Sequence, residues 1–262
     1  ITTRLVGSEM CIRDRYFIIV FSGADMPIYR IADLNVEVNP KFKICRKRLE
    51  SYAVKSNESG KTDIAISVSD DEIRERLRLS DNLSEQGAED VLILSKFCNA
   101  VLDGFDGFFF HSSCLELDGE GYVFSAVSGT GKSTHTALWR RHFGNRVTMI
   151  NDDKPVIRKC DGKFYAYGTP WMGKADIGTN TKAPVKTVYI LQRAEENTAV
   201  RVLPSQVMKQ LLEATVIDVE RSRMEKLLEL LDEFFKETPL FLLGCNMDES
   251  AVMTAYNAAN GG

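Results

Sequence analysis

The chain has 262 residues, and 44% of them are hydrophobic, which is enough apolar material for a sizeable core. Its formal net charge of -4 gives no general attraction to nucleic acid or acidic membranes, so neither is expected as a partner. The six cysteines lack C-x-x-C spacing, which disfavours a zinc knuckle or a disulfide framework and is typical of a cytoplasmic protein with reduced thiols. The apolar run at 16–21 is far shorter than the roughly 20 residues that a membrane-spanning helix needs.

The first 25 residues are expected to lie outside the fold, as a non-native or disordered leader at 1–25. The stretch LVGSEMCIRDR at 5–15 resembles translated sequencing-adapter sequence. A secretory signal is the alternative for the apolar residues after Arg15, but their run is short and the cysteine usage disfavours export. Met26 is a candidate start, because a strand-like pattern follows it directly.

A small α+β module is predicted at residues 26–104. Partial alternation of apolar and polar residues predicts one strand at 28–38 and another at 63–68. A short exposed helix is expected at 70–79. Ser84 is predicted to cap a longer helix that joins this module to the rest of the chain.

Residues 105–262 are predicted to form the catalytic domain. Two apolar runs at 108–117 and 122–127, separated by the turn signal DGEG, predict a hairpin that leads into a glycine-rich loop. A helix at 133–143 and a buried strand at 147–150 are expected next. The chain order is therefore strand, glycine loop, helix, strand.

The remainder of the chain carries fewer signals. A second hairpin is predicted at 155–167 and a buried strand at 185–191. The last third is expected to be mostly helical, with the apolar stripe within 224–235 packing in the core. The segment GTPWMGK at 168–174 fits either a loop facing substrate or nucleotide, or a plain structural turn. Lys174 and Lys182 are candidates for neutralising charge in a transition state.

The glycine loop has the spacing of a phosphate-binding Walker A motif, AVSGTGKS at 126–133, with alanine in place of the usual first glycine. Its glycines let the backbone turn tightly and direct N–H groups at phosphate oxygens, while the following helix presents its positive end. A chance glycine turn is the alternative, and the flanking strand and helix disfavour it. The residues expected to bind nucleotide are Ser128, Gly129, Thr130, Gly131, Lys132, Ser133 and Thr134. Lys132 is expected to reach the β- and γ-phosphates, and Ser133 to offer its hydroxyl to Mg²⁺.

Two carboxylates, Asp152 and Asp153, follow the strand at 147–150 and are expected beside the glycine loop. One carboxylate is suited to holding Mg²⁺, and the other to accepting the proton of an attacking hydroxyl. A plain Asn-Asp-Asp turn is the structural alternative. His111 lies on the strand before the glycine loop, and on the residues alone a buried, hydrogen-bonded histidine is favoured, with a role in facing the reacting phosphate or orienting the base as the alternative.

The other two histidines, His135 and His142, are expected to be structural. The three histidines lack metal-ligand spacing, so no zinc site is predicted.

Together His111, the loop at 128–133 and the pair Asp152-Asp153 resemble the catalytic domain of HPr kinase/phosphorylase, over about residues 105–195. The loop is also similar to that of ATP-dependent phosphoenolpyruvate carboxykinase. From residue 28 onward the chain is similar to HPr-kinase-like proteins of clostridial-type bacteria. The resemblance implies an α/β fold with an HPr-kinase/PEP-carboxykinase-like P-loop core, a small N-terminal α+β module and C-terminal helices.

The resemblance also implies roles for individual residues. Asp152 is expected to be the catalytic base, Asp153 and Ser133 to serve the metal, and His111 and Lys132 to act in catalysis. The implied cofactors are ATP and Mg²⁺, with Mn²⁺ as a substitute. The expected reaction transfers the γ-phosphoryl group to a hydroxyl acceptor, with serine in a peptide, protein or metabolite as the leading choice.

Two other classes of function stay open on the sequence. A carboxykinase-like enzyme is one, although carboxykinases are much longer and carry further metal and substrate ligands. A non-catalytic ATP-sensing module is the other, and the retained pair Asp152-Asp153 disfavours it. A homo-oligomer is an expectation that comes from the family alone.

Overall fold

The computed structural model describes residues 26–55, 60–80, 82–127, 129–215 and 221–261, which form a mixed α/β protein. The expected leader at 1–25 lies outside the described residues. The strands are β1 (Ile28–Ile31), β2 (Leu34–Val38), β3 (Ile64–Ile66), β4 (Gly107–Phe109), β5 (Ser112–Leu117), β6 (Glu120–Ser125), β7 (Val147–Asn151), β8 (Val156–Cys160), β9 (Lys163–Tyr167), β10 (Lys182–Arg193), β11 (Thr198–Arg201) and β12 (Leu240–Cys245). The α-helices are α1 (Lys43–Leu49), α2 (Asp70–Arg78), α3 (Glu85–Gly104), α4 (Lys132–Phe143), α5 (Met208–Thr215), α6 (Arg221–Glu237) and α7 (Ser250–Ala259).

The N-terminal sheet has three strands in the order β1-β2-β3. The prediction of one continuous strand at 28–38 is wrong, because β1 and β2 form an antiparallel hairpin. Its turn residues Ala32 and Asp33 have φ angles of 51° and 61°, as a two-residue turn of type I′ requires. Ala32 lacks the turn preference of glycine or asparagine but is 1% exposed, so its burial in the core, rather than local propensity, fixes the turn there.

The helices of this region match their predictions. Ser69 and Glu72 form a reciprocal capping box at the start of α2. The Ser84 hydroxyl accepts a hydrogen bond from the Gly87 N–H at the start of α3, which confirms it as the cap. The strand predicted at 63–68 is confirmed as the shorter β3.

The N-terminal sheet shares one hydrophobic core with later parts of the chain. Phe97 on α3 stacks on Trp171, with ring centroids 5.9 Å apart. The Arg158 guanidinium on β8 donates a hydrogen bond to the Ala32 carbonyl in the turn between β1 and β2. Residues of the N-terminal part and of the middle of the chain are therefore buried against each other, although the division at 104–105 itself stays a prediction.

The large sheet runs in the order β4-β8-β9-β10-β6-β5-β7, with β12 and then β11 attached beyond β10. The long strand β10 is central, since its start pairs antiparallel with β9 and its later residues pair parallel with β6 and with β12. Strand β5 is antiparallel to both of its neighbours, β6 and β7. The carboxyl ends of β6, β7, β10 and β12 consequently meet at one edge of the sheet, together with the beginning of β5.

Two predictions about this region need correction. The apolar run at 108–117 is not one strand, because β4 and β5 belong to different parts of the sheet and Phe110 and His111 lie between them. The strand predicted at 185–191 is confirmed within β10, but the chain after it is not mostly helical, since it also contains β11 and β12. Strand β12 is a short apolar run buried between β10 and β11. Because nearly all of its residues are apolar, the spacing of hydrophobic residues cannot distinguish such a strand from a buried helix. The hairpin at the turn DGEG and the one formed by β8 and β9 are both confirmed.

Helices cover both faces of the large sheet. Helices α4 and α7 pack on one face and α5 and α6 on the other, each face with its own hydrophobic cluster. The stripe predicted on α6 is confirmed as core packing for Leu227, Leu231 and Phe234, whereas Leu228 is 42% exposed. No helix within the described ranges has the length and apolar character needed to cross a membrane.

The buried face of α4 holds His135 against Trp139, whose indole Nε1–H donates to His135 Nε2 at 3.0 Å. The second ring nitrogen, Nδ1, is buried without a hydrogen-bond partner in the structure. Burial lowers the pKa of His135 to about 4, so the ring is neutral in the fold. His142, by contrast, lies at the surface with its Nδ1 2.7 Å from Glu249 Oε1.

We expect His135 to make the fold sensitive to acid. An unfolded histidine takes up its proton near pH 6.5 and the folded one only near 4, so its contribution is complete above pH 6.5 and is lost as the pH falls towards 4. The loss is at most about 3 kcal/mol. Urea unfolding at pH 7 and pH 4.5 should show a smaller decrease in stability for His135→Gln, which keeps an acceptor for Trp139. Equal decreases in both proteins would contradict the prediction.

Candidate active site

The glycine loop lies between the end of β6 and the start of α4, at the sheet edge described above. Gly129 and Gly131 have φ angles of 79° and 125°, a region that residues with a Cβ rarely adopt. The Thr130 N–H bonds to the Val127 carbonyl at 3.1 Å and closes the turn, and His135 N–H bonds to the Gly131 carbonyl to begin the helix. The loop thus delivers the chain directly into a helix N-terminus, where backbone N–H groups are unpaired and attract anions.

The side chain of Arg193, at the end of β10, supports the loop from one side. Its guanidinium donates to the Gly129 carbonyl at 2.7 Å and to the Thr130 carbonyl at 3.4 Å. These two hydrogen bonds fix the position of the loop backbone. Nothing in the sequence pattern marks Arg193, since it reaches the loop only through the pairing of β10 with β6.

Lys132, the first residue of α4, extends its ammonium towards β5. Its Nζ lies 3.3 Å from the Ala126 carbonyl oxygen and 3.4 Å from His111 Nε2. Burial lowers the pKa of Lys132, and the negative charges of Asp153 and Asp152 oppose that effect. The cation is therefore partly desolvated, with two carboxylates and the Lys154 ammonium near it.

The backbone of His111 is fixed by two neighbouring elements. Its N–H donates to the Ala214 carbonyl at the end of α5 at 2.7 Å, and its carbonyl accepts from the Ser125 hydroxyl at 3.0 Å. The imidazole Nε2 lies 3.1 Å from Asp153 Oδ1. The ring is about one third exposed, which disfavours a fully buried structural histidine.

Asn151, at the end of β7, organises the acidic pair. Its side-chain Oδ1 accepts from the N–H groups of Asp153 and Lys154, at 2.9 and 2.7 Å. Its Nδ2 donates to the Thr169 carbonyl at 2.9 Å. The amide is completely buried, so it acts as a fixed support for the turn that carries both carboxylates.

The two carboxylates have different surroundings. Asp152 is 8% exposed, and the Ser113 hydroxyl donates to its Oδ1 at 2.7 Å. Its Oδ2 accepts no hydrogen bond from another residue in the described ranges. Sequence reasoning missed this contact of Ser113, although Ser113 lies within the apolar run predicted as a strand before the loop.

Asp153 is held between two cationic or hydrogen-donating groups. His111 is on one side, and the Lys154 ammonium forms an ion pair with the other carboxylate oxygen. Burial acts to raise the pKa of Asp153, but the hydrogen bonds from His111 and Lys154 outweigh it and bring the pKa to about 2. Asp153 is therefore ionised at any physiological pH.

The segment at 168–174 is anchored in the core at one end and touches the site at the other. Trp171 is 2% exposed, and its indole N–H donates to Asp90 Oδ1 at 3.1 Å. Gly173 lies against Asp153, since a Cβ built at Gly173 would fall 2.9 Å from the Asp153 Cβ. The aromatic residue is thus a structural anchor, and only the backbone near Gly173 borders the acidic pair.

The predicted site residues divide into a central group and a peripheral group. The structure brings together His111, Lys132, Asp152 and Asp153 at one sheet edge. Ser133 and Thr134 are exposed on the first turn of α4, and Ser128 lies outside the described residues. Lys182 lies at the opposite end of β10, where its Nζ pairs with Asp33 Oδ2 at 2.5 Å.

A metal centre made of protein side chains alone is absent from the described ranges, where no group of three or more His, Cys, Asp or Glu side chains converges. Asp153 and Ser133 nevertheless offer hard oxygen donors near the loop. Mg²⁺ is usually bound by one or two protein oxygens together with phosphate oxygens and water, so this donor set fits that ion when a nucleotide is present.

Comparison with known proteins gives little further guidance. No family model and no curated protein matches the chain. Among solved structures, the chain is similar to the HPr(Ser) kinase/phosphatase from Coxiella burnetii, at 12% identity over 58% of this chain and 93% of that one, with a TM-score of 0.33. At these values the similarity carries no argument, so function has to be argued from this chain's own geometry.

We expect Asn151→Ala to destabilise the protein by about 2–4 kcal/mol, because the two N–H groups and the carbonyl that it serves lose their buried partner. Thr148→Ala on the same strand is the matched control, since Thr148 is only half-buried, and its cost should stay below about 1 kcal/mol. Urea denaturation with an unchanged m-value measures both. Equal losses in the two variants would show that the amide does not support the turn.

Proposed function

We propose that the protein is a Mg-ATP-dependent phosphotransferase that moves the γ-phosphoryl group of ATP to a hydroxyl acceptor. The observation that supports this most is the convergence of four features at one sheet edge. A glycine loop opens a helix N-terminus, Lys132 extends from it to within 3.4 Å of His111 Nε2, and His111 contacts Asp153 of the acidic pair. Positioning and charge stabilisation are the main requirements of phosphoryl transfer, and this arrangement supplies both.

The loop and Lys132 are assigned to the phosphates. The N–H groups at the start of α4 and the Lys132 ammonium would stabilise the negative charge that develops on the transferring group. In the described ranges the Lys132 ammonium donates one long hydrogen bond, to the Ala126 carbonyl at 3.3 Å, and lies 3.4 Å from His111 Nε2, so a phosphate oxygen can replace these contacts readily. Asp153 and Ser133 would hold the metal, which when bound neutralises charge on the phosphate oxygens.

Asp152 is assigned as the base that accepts the proton of the acceptor hydroxyl. Ser113 fixes one of its oxygens, and the other, Oδ2, would accept the proton of the acceptor hydroxyl. Asp153 is less suited to this role because its pKa of about 2 makes it a weak base, whereas a permanently ionised carboxylate suits a metal ligand. The sequence resemblance to HPr kinases makes serine the leading acceptor class.

Replacement of Lys132 is expected to abolish most activity. Lys132→Ala should lower phosphoryl transfer by about 100-fold or more, since a preorganised cation at the transferring group is lost. Lys132→Arg keeps the positive charge but replaces a compact ammonium with a planar guanidinium, so its phosphoryl transfer should also be slower. The assay uses the full chain with Mg²⁺, γ-labelled ATP and a bacterial extract split into small-molecule and macromolecular fractions. Unchanged transfer by Lys132→Ala would overturn the proposal.

The two carboxylates should be separable by experiment. Asp152→Asn should lower the rate of transfer by about 100-fold or more and leave ATP affinity nearly unchanged, because an amide cannot accept the proton. Asp153→Asn should instead raise the Mg²⁺ concentration required for half-maximal activity. If both variants changed the rate of transfer and the Mg²⁺ requirement to the same extent, the assignment of Asp152 as base and Asp153 as metal ligand would be contradicted.

The same assay separates the other classes of function. ATP binding without any labelled product would favour a nucleotide sensor. Nucleotide-dependent conversion of oxaloacetate, tested with the same protein, would favour a carboxykinase-like enzyme. The fraction that takes up label identifies the acceptor as a metabolite or a polypeptide.

A further inference from the structure

A pocket of about 230 Å³ opens directly beside the glycine loop, on the side away from His111. Val127 and Thr130 of the loop form one wall. The other walls come from the ends of β10 and β12 and from α5. The remaining lining residues are Ile190, Leu191, Gln192, Arg193, Gln210 and Leu242. Apart from Val127 and Thr130 of the loop, no residue assigned to phosphoryl transfer lines this pocket, so most of its lining is not explained by the proposed reaction.

The sheet order puts this pocket and the acidic pair on opposite flanks of the loop. Strand β6, which leads into the loop, has β10 on one side and β5 on the other. The pocket lies on the β10 side, and His111 and Asp153 lie on the β5 and β7 side. A nucleotide whose terminal phosphate faces the acidic pair therefore extends its other end towards the pocket.

The chemistry of the lining fits a flat heterocycle with hydrogen-bonding edges. Ile190 and Leu242 belong to the apolar cluster on the α5 and α6 face of the sheet and give the pocket an apolar side. The amides of Gln192 and Gln210 make no hydrogen bond to any residue in the described ranges. Each amide carries both a donor and an acceptor, the combination that pairs with the edge of a nucleobase.

The size and charge of the pocket disfavour a whole nucleotide or a phosphate group as its occupant. Its volume is below the roughly 300–1,000 Å³ of sites for drug-sized ligands, so it suits one ring system rather than a whole nucleotide. The single cation in the lining, Arg193, already donates to the Gly129 and Thr130 carbonyls. The pocket is thus poorly suited to phosphate and well suited to an uncharged base.

We infer that this pocket, the base pocket, binds the nucleobase of the nucleoside triphosphate, with Gln192 and Gln210 as the residues that recognise its edge. The inference rests on the proposed function, because the phosphates must lie on the glycine loop for the base to reach the pocket. It assigns specificity to residues on β10 and α5 that belong neither to the Walker A segment nor to the acidic pair.

Two ligands test the inference on the full chain by isothermal titration calorimetry with Mg²⁺. ATP has phosphates and a base, whereas inorganic tripolyphosphate has phosphates alone. The double variant Gln192→Ala/Gln210→Ala should bind ATP about 10-fold or more weakly and tripolyphosphate as the unmodified protein does. Lys209→Ala is the matched control, because Lys209 is adjacent to Gln210 on α5 with its side chain 85% exposed and outside the pocket.

The outcomes distinguish the base pocket from the phosphate site. Unchanged ATP affinity in the double variant overturns the base pocket, and so does an equal loss for both ligands, which would indicate a disturbed loop. Retained tripolyphosphate affinity also shows that the variant is folded. If tripolyphosphate binds the unmodified protein and Lys132→Ala equally well, or binds neither, the phosphate site fails and the base pocket fails with it.

Discussion

The candidate site depends on how the beginning of β5 is held between β6 and β7. These two strands run parallel to each other and antiparallel to β5. The Ser125 hydroxyl at the end of β6 bonds to the His111 carbonyl, and the Ser112 N–H bonds to the Asp153 carbonyl beyond the end of β7. These contacts bring the exits of β6 and β7 to the same place, although β5 lies between them. A shift of β5 by one residue would turn its side chains to the other face and would separate Ser113 from Asp152.

Opposite charges stabilise the ionised forms of Lys132 and the acidic pair. Lys132 is partly desolvated, which disfavours its charged form, while the neighbouring carboxylates favour that form. Asp153 gains in the same way from His111 and Lys154. A bound polyphosphate would bring further negative charge, which gives a physical reason for a metal ion to accompany it in the proposed reaction.

The N-terminal part of the chain contributes to this arrangement from a distance. Asp90 on α3 accepts the Trp171 indole N–H and lies 3.1 Å from Arg48 on α1. Trp171 in turn fixes the segment that ends at Gly173 against Asp153. The backbone next to the acidic pair is therefore supported by helices that the sequence places in a separate module.

The sequence by itself determined the local features whose signals lie within a few residues: the glycine loop with α4, the cap of α3, the hairpin before the loop and the position of the acidic pair after β7. It also predicted that His111 belongs with them, through a family resemblance. Tertiary structure decided what depends on strand order, which no local pattern encodes. The contact of Ser113 with Asp152, the support of the loop by Arg193 and the pocket between β10 and α5 all join residues far apart in the chain. The turn at Ala32 and the buried strand β12 were missed for a related reason, because burial in the shared core outweighs the weak local preferences of those residues.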